Sequence, residues 1–383
     1  MFSDLTLNFW GATTLPPAAL TTADLSLSDL TYEIPGYSAS TLPGQHFYGV
    51  SQHQSGEPSV QFYRLKFDFN PVKPLEPQAS TQLEPARSQS LNSDSFNSDS
   101  LKSDSLKPNP FNLEAAIPLT NLSGEALSSD LTRPESITFS PRDSIFIATE
   151  EIQGDQTMPF IGEFDLTTGA FRNLVPVPPG YGPEREADQS LNSSIQGIQP
   201  DLGFKSLTIA PDGFSPGGFD PFRLFAITAA PLMQDVDPDF PPRLRLLHYV
   251  IADRASFLVS ETLYPLELNC QLVGMVALKT SGSFLSLERS PTSAQIYQVF
   301  TGDATDISRV EYLRGNLGSI QPLRKQLLFD FAENFGGLKG LPAELTGMTL
   351  GPRLPDGGQS LILIGSAPDN TTSFLVFSLI KND

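Results

Sequence analysis

Short runs of alternating apolar and polar residues cover most of this chain, and they predict β-strands and not long helices. Four segments share an apolar residue, a threonine, an apolar or aromatic residue and then a proline turn: LTYEIP (30–35), ITFSP (137–141), LTIAP (207–211) and MTLGP (348–352). Each is followed by a second apolar strand, and a fifth hairpin without the proline spans 274–290. A two-residue period bounded by proline and glycine is typical of β-hairpins.

The recurrence of these hairpins predicts an all-β fold, namely a β-propeller of six or seven blades. Each blade has apolar strand faces that only neighbouring blades can bury. The four motif threonines are unequally spaced along the chain, so further strands or insertions are expected between equivalent hairpins. A large β-sandwich and a β-helix are the alternative folds. We expect residues 1–383 to form a single domain.

One segment departs from the strand pattern. Residues 73–112 are rich in Pro, Ser, Gln and Asn, and residues 91–105 repeat a five-residue unit of apolar, polar, Ser, Asp and Ser. A period of five matches neither a helix nor a strand. This composition predicts a flexible surface insertion within the domain.

Composition narrows the classes of partner. The chain has 383 residues, including 34 prolines and 29 glycines, and a formal net charge of −19. That charge repels nucleic acid and anionic membrane surfaces, so neither is expected as a partner. No apolar run is long enough for a transmembrane helix. We expect a cytoplasmic protein if Met1 is the native start, and an extracytoplasmic one if a signal peptide was trimmed.

Three aspartates are the candidate metal ligands. Asp235, Asp237 and Asp239 have the alternating spacing with which a calcium-binding loop begins. The sixth position is Phe240 where such a loop needs glycine, and the twelfth is Leu246 where it needs glutamate. A Ca²⁺ site and a solvated turn are therefore both open for this segment.

The segment GMTLGPRLPDGGQSLILI (347–364) resembles the bacterial esterase-like phytase family, whose members are β-propellers. Other segments resemble the same family and follow its order: LTLNFWGATTLP (5–16), QFYRLKFDF (61–69), PLMQD (231–235), SFLSLERS (283–290) and QIYQVFTGDATDIS (295–308). The resemblance covers most of the chain outside the 73–112 segment. It implies a phosphoesterase ancestry that involved metal ions.

The chain departs from the family at several positions that carry acidic residues there. The departures are Ser51-Gln52-His53, Phe204-Lys205-Ser206, Ala229-Ala230, Leu345-Thr346-Gly347 and Ser366-Ala367-Pro368. The charged residues that remain as catalytic candidates are Glu135, Glu150, Glu288 and Arg289. Each also has a structural interpretation, and Glu288 with Arg289 is either an ion pair or a phosphate clamp.

Loss of these acidic positions favours a non-catalytic propeller that acts as a protein-binding or assembly subunit. Divalent cations such as Ca²⁺ need several oxygen ligands, and replacing acids by neutral or basic residues removes them. The alternative function is a cation-dependent phosphoesterase that uses Glu135 and Glu150. A binding module for a small sugar or peptide in the central pocket is a third possibility.

Overall fold

The recurring hairpins form the innermost strand and the second strand of five four-stranded antiparallel sheets, which we number as blades 1 to 5. The computed structural model describes residues 4–15, 25–35, 46–51, 59–67, 111–153, 156–185, 191–192, 196–214, 220–253, 255–335, 344–366 and 372–382. All structural statements below concern this part of the chain.

Each blade takes four strands, written here from the inner to the outer edge. Blade 1 contains β2 (Asp29–Tyr32), β3 (His46–Val50), β4 (Gln61–Phe67) and β5 (Phe111–Pro118). Blade 2 contains β6 (Thr132–Ser140), β7 (Ser144–Gln153), β8 (Gln156–Asp165) and β9 (Phe171–Leu174). Blade 3 contains β12 (Phe204–Ile209), β13 (Phe222–Thr228), β14 (Arg243–Ile251) and β15 (Ser256–Pro265).

The last two blades complete the set. Blade 4 contains β16 (Gln271–Ala277), β17 (Ser283–Arg289), β18 (Ala294–Phe300) and β19 (Arg324–Asp330). Blade 5 contains β20 (Glu344–Arg353), β21 (Gln359–Ser366), β22 (Thr372–Lys381) and β1 (Leu5–Thr14). The smaller elements are a ribbon of β10 (Glu184–Arg185) and β11 (Leu191–Asn192), helix α1 (Phe331–Phe335), and 3-10 turns at Pro179–Tyr181, Pro211–Gly213 and Met233–Asp235.

The five blades form a closed ring. The inner strands contact one another in the order β2, β6, β12, β16 and β20, and β20 contacts β2 again. The N-terminal strand β1 pairs antiparallel with β22, so both ends of the described chain lie in blade 5 and hold the ring shut. The fold is therefore a five-bladed β-propeller.

The predicted number of six or seven blades was wrong. The unequal spacing of the motif threonines reflects outer strands, long connections and, in the longest interval, one blade whose hairpin lacks the motif. The longest spacing, between Thr208 and Thr349, contains the fifth hairpin, which forms the inner strands of blade 4. The same interval also contains a long connection, residues 301–323, which joins β18 to β19 within blade 4.

The hydrophobic core lies between blades. Five clusters of buried apolar side chains each join one blade to the next around the ring. In β13, Leu224 and Ala226 pack towards blade 2, while Phe225 and Ile227 pack towards blade 4. Because successive side chains of a strand point to opposite faces, a strand covered on both faces is apolar throughout. This explains the continuous apolar runs of the sequence.

The predicted insertion, 73–112, falls almost wholly outside the described residues. Only Phe111 and Asn112 are described, and both belong to β5. Strands β4 and β5 pair from Gln61 opposite Pro118 to Phe67 opposite Phe111. The undescribed residues 68–110 therefore connect two neighbouring strands of one blade.

None of the helices found in the described part of the chain has the length and apolarity needed to cross a membrane.

Candidate functional site: a charged cluster at the start of the inner strands

A β-bulge recurs near the start of four inner strands. Pairing with the second strand skips one residue in β6, β12, β16 and β20, and the residues skipped are Glu135, Lys205, Val273 and Thr346. A bulge leaves one residue outside the ladder and redirects its side chain, and bulges occur often beside functional sites. Two of these equivalent residues are oppositely charged.

Glu135 and Lys205 form an ion pair between blades 2 and 3. Lys205 Nζ lies 3.2 Å from Glu135 Oε2, and the two side chains are 18% and 4% exposed respectively. An ion pair that is largely withdrawn from water is weakened less by solvent and salt than an exposed one. The lysine ammonium thus places a fixed positive charge against the Glu135 carboxylate.

Glu150, at the end region of β7, lies beside this pair. Its Oε1 accepts a hydrogen bond from Gly203 N at 2.6 Å, and its Oε2 accepts one from Asp201 N at 3.1 Å. Burial, together with the neighbouring charge of Glu135, raises the pKa of the Glu150 carboxyl to about 7, although the hydrogen bonds from Gly203 and Asp201 act in the opposite direction. A carboxyl group with such a pKa can exchange a proton near neutral pH.

Gly203 is required by this arrangement. A Cβ atom at residue 203 would lie 2.5 Å from Glu150 Oε1 and 3.0 Å from its Cγ. Only a residue without a side chain lets this backbone approach the carboxylate.

Asp29, the first residue of β2, is the third carboxyl group of the cluster. Its Oδ2 accepts hydrogen bonds from Ser136 Oγ at 2.5 Å and Ile137 N at 3.0 Å, and its Oδ1 accepts one from Leu30 N at 2.8 Å. Burial raises the pKa of Asp29 to about 7, although these bonds and the charge of Lys205 act in the opposite direction. We call Asp29, Glu135, Glu150 and Lys205 the charged cluster.

Sequence reasoning did not select Asp29. The sequence does place Asp29 at a recurring position, two residues before the motif threonine. Ser136 and Ser206 have the same position in the next two blades. Those serines also join inner strands: Ser136 Oγ accepts a hydrogen bond from Leu207 N at 2.8 Å, and Ser206 Oγ accepts one from Met275 N at 2.8 Å. Asp29 makes the equivalent hydrogen bonds between blades 1 and 2, with a carboxylate in place of a hydroxyl group.

Glu288 and Arg289, the other two catalytic candidates, bind separate partners in and around blade 4. Glu288 is fully buried, and its Oε1 accepts hydrogen bonds from Tyr264 Oη at 2.5 Å and Lys325 Nζ at 2.6 Å. Arg289 Nη1 lies 3.0 Å from Glu344 Oε1. The suggested pairing of Glu288 with Arg289 is therefore replaced by pairing of each with another residue, because strand neighbours point to opposite faces.

The three candidate metal ligands do not converge on one point. Asp235 is buried and binds Arg245 through both carboxylate oxygens, at 2.7 and 3.1 Å. Asp237 Oδ2 accepts a hydrogen bond from Gly315 N at 2.6 Å, and its Oδ1 accepts one from Asp239 N at 3.0 Å. These bonds fix the turn against the connection after β18. Asp235 and Asp237 thus bind donors of the protein itself, and a Ca²⁺ site in this segment stays a prediction.

The residues of the charged cluster do not fit a divalent metal ion. Ca²⁺ takes roughly six to eight oxygen ligands, several of them from carboxylates. Here the Lys205 ammonium forms an ion pair with the Glu135 carboxylate. The carboxylate oxygens of Glu150 and Asp29 already accept hydrogen bonds from N–H and O–H donors. Across the described residues, no group of three or more His, Cys, Asp or Glu side chains is arranged to hold a metal ion.

The closed ring and this cluster define a five-bladed propeller with a buried charged site at the start of its inner strands. The family model described as "Phytase-like: Esterase-like activity of phytase" matches residues 33–365, and the chain belongs to this family. The family inferred from the sequence motifs is thereby confirmed.

Comparison with solved structures gives distant similarities at full length. Hydrazine synthase of Kuenenia stuttgartiensis is 10% identical, with 97% of this chain and 99% of that chain covered and a TM-score of 0.34. A DUF4221 family member from Bacteroides vulgatus is 11% identical, with 99% of both chains covered and a TM-score of 0.36. The Dos1 propeller is 10% identical, with 97% of this chain and 95% of that chain covered and a TM-score of 0.32. No curated protein matches the chain.

Proposed function

We propose that this member of the phytase-like family is a protein-binding propeller that does not hydrolyse phosphate esters. The observation that carries the proposal is the ion pair of Lys205 with Glu135, 3.2 Å apart. Hydrolysis of a phosphate ester needs positive charge that is free to meet the phosphate. Here the ammonium is neutralised by a carboxylate, and the same contact opposes the approach of a metal cation to that carboxylate.

The outer strand of blade 3 supports the binding role. Phe257 and Val259 of β15 are 57% and 51% exposed, and Leu258 between them is also exposed. Solvent-facing edge strands normally carry charged residues or proline that prevent pairing with other chains. The segment 256–260 has neither. Such an edge suits a partner that adds an extended strand and places apolar side chains on it.

Only the first half of the β15 edge is free to pair with a partner strand. Ile307 N donates to Glu261 O, and Leu323 N donates to Leu263 O, so the connection after β18 covers the second half of β15. The first half, residues 256–260, is therefore the segment proposed to receive a partner strand.

A second candidate function is a cation-dependent phosphoesterase. The pKa of Glu150, raised to about 7 by burial, is the observation that favours it, because such a group serves as a general acid or base near neutral pH. In that case Glu135 and Glu150 would be the catalytic pair.

Hydrolysis of a panel of phosphomonoesters and phosphodiesters tests the two functions. The purified protein would be assayed with Ca²⁺, with Mg²⁺ and with chelator, after circular dichroism has shown that it is folded. We expect no turnover in any condition. Metal-dependent turnover that Glu135→Gln abolishes would reject the non-catalytic function. Glu163→Gln is the matched control, since Glu163 is a buried glutamate of the same blade whose Oε1 accepts from Ser144 Oγ.

The binding role needs a test of its own. We expect a partner that co-purifies with the wild-type protein in stoichiometric amount and is lost with the double variant Phe257→Ser/Val259→Ser. Leu122→Ser is the control, because Leu122 is an exposed apolar residue in a turn outside blade 3. A partner that binds the double variant equally well would exclude this edge as the contact surface.

A further inference from the structure

A cavity of about 640 Å³ lies within the ring, and residues from all five inner strands line it. This volume falls within the range of pockets that hold small organic ligands. The motif threonines Thr31, Thr138, Thr208 and Thr349 all contribute to the wall, and Val276 contributes from blade 4. The recurring sequence motif thus places one hydroxyl group per blade around the cavity in four of the five blades.

The wall between the threonines is apolar. Leu30, Ile137, Leu207 and Met348 line the cavity beside them. Thr208 Oγ1 accepts a hydrogen bond from Ala277 N at 3.0 Å, which leaves its own hydrogen for another acceptor. Apolar walls with a few placed polar groups are characteristic of pockets for largely apolar ligands.

The far end of the cavity is basic. Lys279 follows β16, Arg353 ends β20 and Lys381 ends β22, and all three are exposed residues that line the cavity. In the described part of the chain, none of the three has an acidic partner. The one acid of this lining, Asp356, accepts hydrogen bonds from Ser378 Oγ at 2.6 Å and Gly358 N at 2.9 Å.

The two ends of the inner strands therefore differ in charge. The inner strands begin at the charged cluster, where three carboxyl groups surround one ion pair, and at their other end lie Lys279, Arg353 and Lys381. We call these three residues the basic mouth. In a chain of net charge −19, three neighbouring cations that have no acidic partner among the described residues attract anions to one place. A ligand with one anionic end would enter in a single orientation.

We propose that the cavity binds an amphipathic anion, with an apolar chain against the threonine-bearing walls and a carboxylate or phosphate group at the basic mouth. The arginine and the two lysines supply charge-assisted hydrogen bonds to the head group. The apolar chain removes the cavity wall from water, which favours binding in proportion to the area covered. This binding site lies apart from the charged cluster and does not depend on whether that cluster hydrolyses esters.

Isothermal titration calorimetry with three matched probes tests the proposal: decanoate, decyl phosphate and decanol. We expect at least one of the anions to bind about tenfold or more tightly than decanol, because the neutral alcohol forms no charge-assisted bond with the mouth. Stronger binding of one anion identifies the preferred head group. Decanol that binds as tightly as both anions would overturn the proposal.

Variants locate the site. Lys279→Gln/Lys381→Gln should weaken binding of the preferred anion about tenfold or more and leave decanol unchanged. Lys66→Gln is the control for loss of a lysine charge elsewhere, since Lys66 is an exposed residue of β4 outside the cavity. Unchanged anion affinity in the double lysine variant would also overturn the proposal.

A blocking variant gives an independent readout. Thr138→Phe places a ring inside the cavity and should abolish binding of all three probes. If this variant does not fold, the exposed lysine variants still decide the question, because their side chains lie at the surface. Full binding by a folded Thr138→Phe protein would place the ligand elsewhere and reject the proposed site.

Discussion

Blade 2 and blade 5 carry different chemistry at equivalent strand positions. In blade 2 the bulged residue of the inner strand is Glu135, and the second strand carries Glu150. In blade 5 the bulged residue is Thr346, and the second strand ends at Ser366. The carboxyl groups of blade 2 contribute to a cluster with Lys205. The hydroxyl groups of blade 5 have another role.

Blade 5 uses its hydroxyl groups to close the ring. Thr346 Oγ1 donates to Leu27 O at 2.8 Å, and Ser366 Oγ lies 2.7 Å from Ser26 Oγ. Both bonds join blade 5 to the segment before β2. The strand end that reads Gly-Ser, in place of an acidic sequence, thus seals the last blade against the first.

The comparison separates fold-forming positions from site-forming positions. The clearest family match, residues 347–364, lies in a blade that contributes no residue to the charged cluster. Its apolar residues Leu361 and Leu363 pack towards blade 4, whereas Ile362 and Ile364 pack towards blade 1. Resemblance in this segment therefore reports the architecture, while the chemistry depends on a few bulged and strand-end residues elsewhere.

The largest effect that would test this comparison is expected from Gly347→Ala. A Cβ at residue 347 would lie 2.6 Å from Asp29 Oδ1, 3.1 Å from Asp29 Cα and 3.1 Å from Ser28 O, so backbone atoms at the junction of blades 5 and 1 would have to shift as well as a side chain. We expect a loss of about 3 kcal/mol in the free energy of unfolding, measured by urea denaturation. Gly203→Ala should cost less, about 1–2 kcal/mol, because its contacts are with the Glu150 side chain. Equal losses would contradict the contrast.

A pH dependence of stability comes next in size. The Glu150 carboxyl ionises near 4.5 in the unfolded chain and near 7 in the folded protein. Between these values the folded state binds more protons, so the free energy of unfolding falls as pH rises from about 4.5 to 7 and is then constant. The contribution of Glu150 amounts to about 3 kcal/mol. Asp29 acts in the same direction because its pKa is raised to about 7 as well.

Urea denaturation of the wild type and of Glu150→Gln at pH 5 and pH 8 measures that contribution. The variant should lose less stability over this interval than the wild type. Ser366→Ala, at the equivalent position of blade 5, removes no titrating group and should keep the wild-type dependence. An identical pH dependence in wild type and Glu150→Gln would show that the Glu150 carboxyl has the same pKa when folded and unfolded.

The ion pair of the charged cluster gives a smaller effect. Lys205→Met keeps the length of the side chain and leaves the buried Glu135 carboxylate without its cation, which should cost about 2 kcal/mol at pH 8. In a Glu135→Gln background the cost should shrink, because the carboxylate that Lys205 neutralises is gone. If the loss is the same in both backgrounds, the lysine stabilises the fold by packing and not by charge.

The same contrast explains which features the sequence could predict. The threonine and proline motifs at 30–35, 137–141, 207–211 and 348–352 predicted the inner strands, because hairpins are local and repeat with the period of a strand. The fifth hairpin, at 274–290, completes the set of five blades. The blade number was wrong because spacing along the chain does not distinguish an outer strand or a long connection from another blade.

The charged cluster could be predicted only in part. Glu135 and Glu150 were candidates because acids at a strand start and a strand end are visible in the sequence. Their environment depends on contacts between blades: Gly203 lies 53 residues from Glu150, and Ser136 lies 107 residues from Asp29. Burial at these contacts raises the pKa values of Glu150 and Asp29, and no local sequence pattern indicates that burial.

The smallest effect concerns the hydroxyl pair that closes blade 5. Ser366→Ala and Ser26→Ala should each cost about 0.5–1 kcal/mol, because each removes one neutral hydrogen bond at a partly buried site. The double variant should cost less than the sum of the two, because both single variants remove the same bond. Additive losses in urea denaturation would show that the hydroxyl groups act separately. In neither variant should the pH dependence set by Glu150 change, since closure in blade 5 and proton binding in blade 2 involve different residues at equivalent positions.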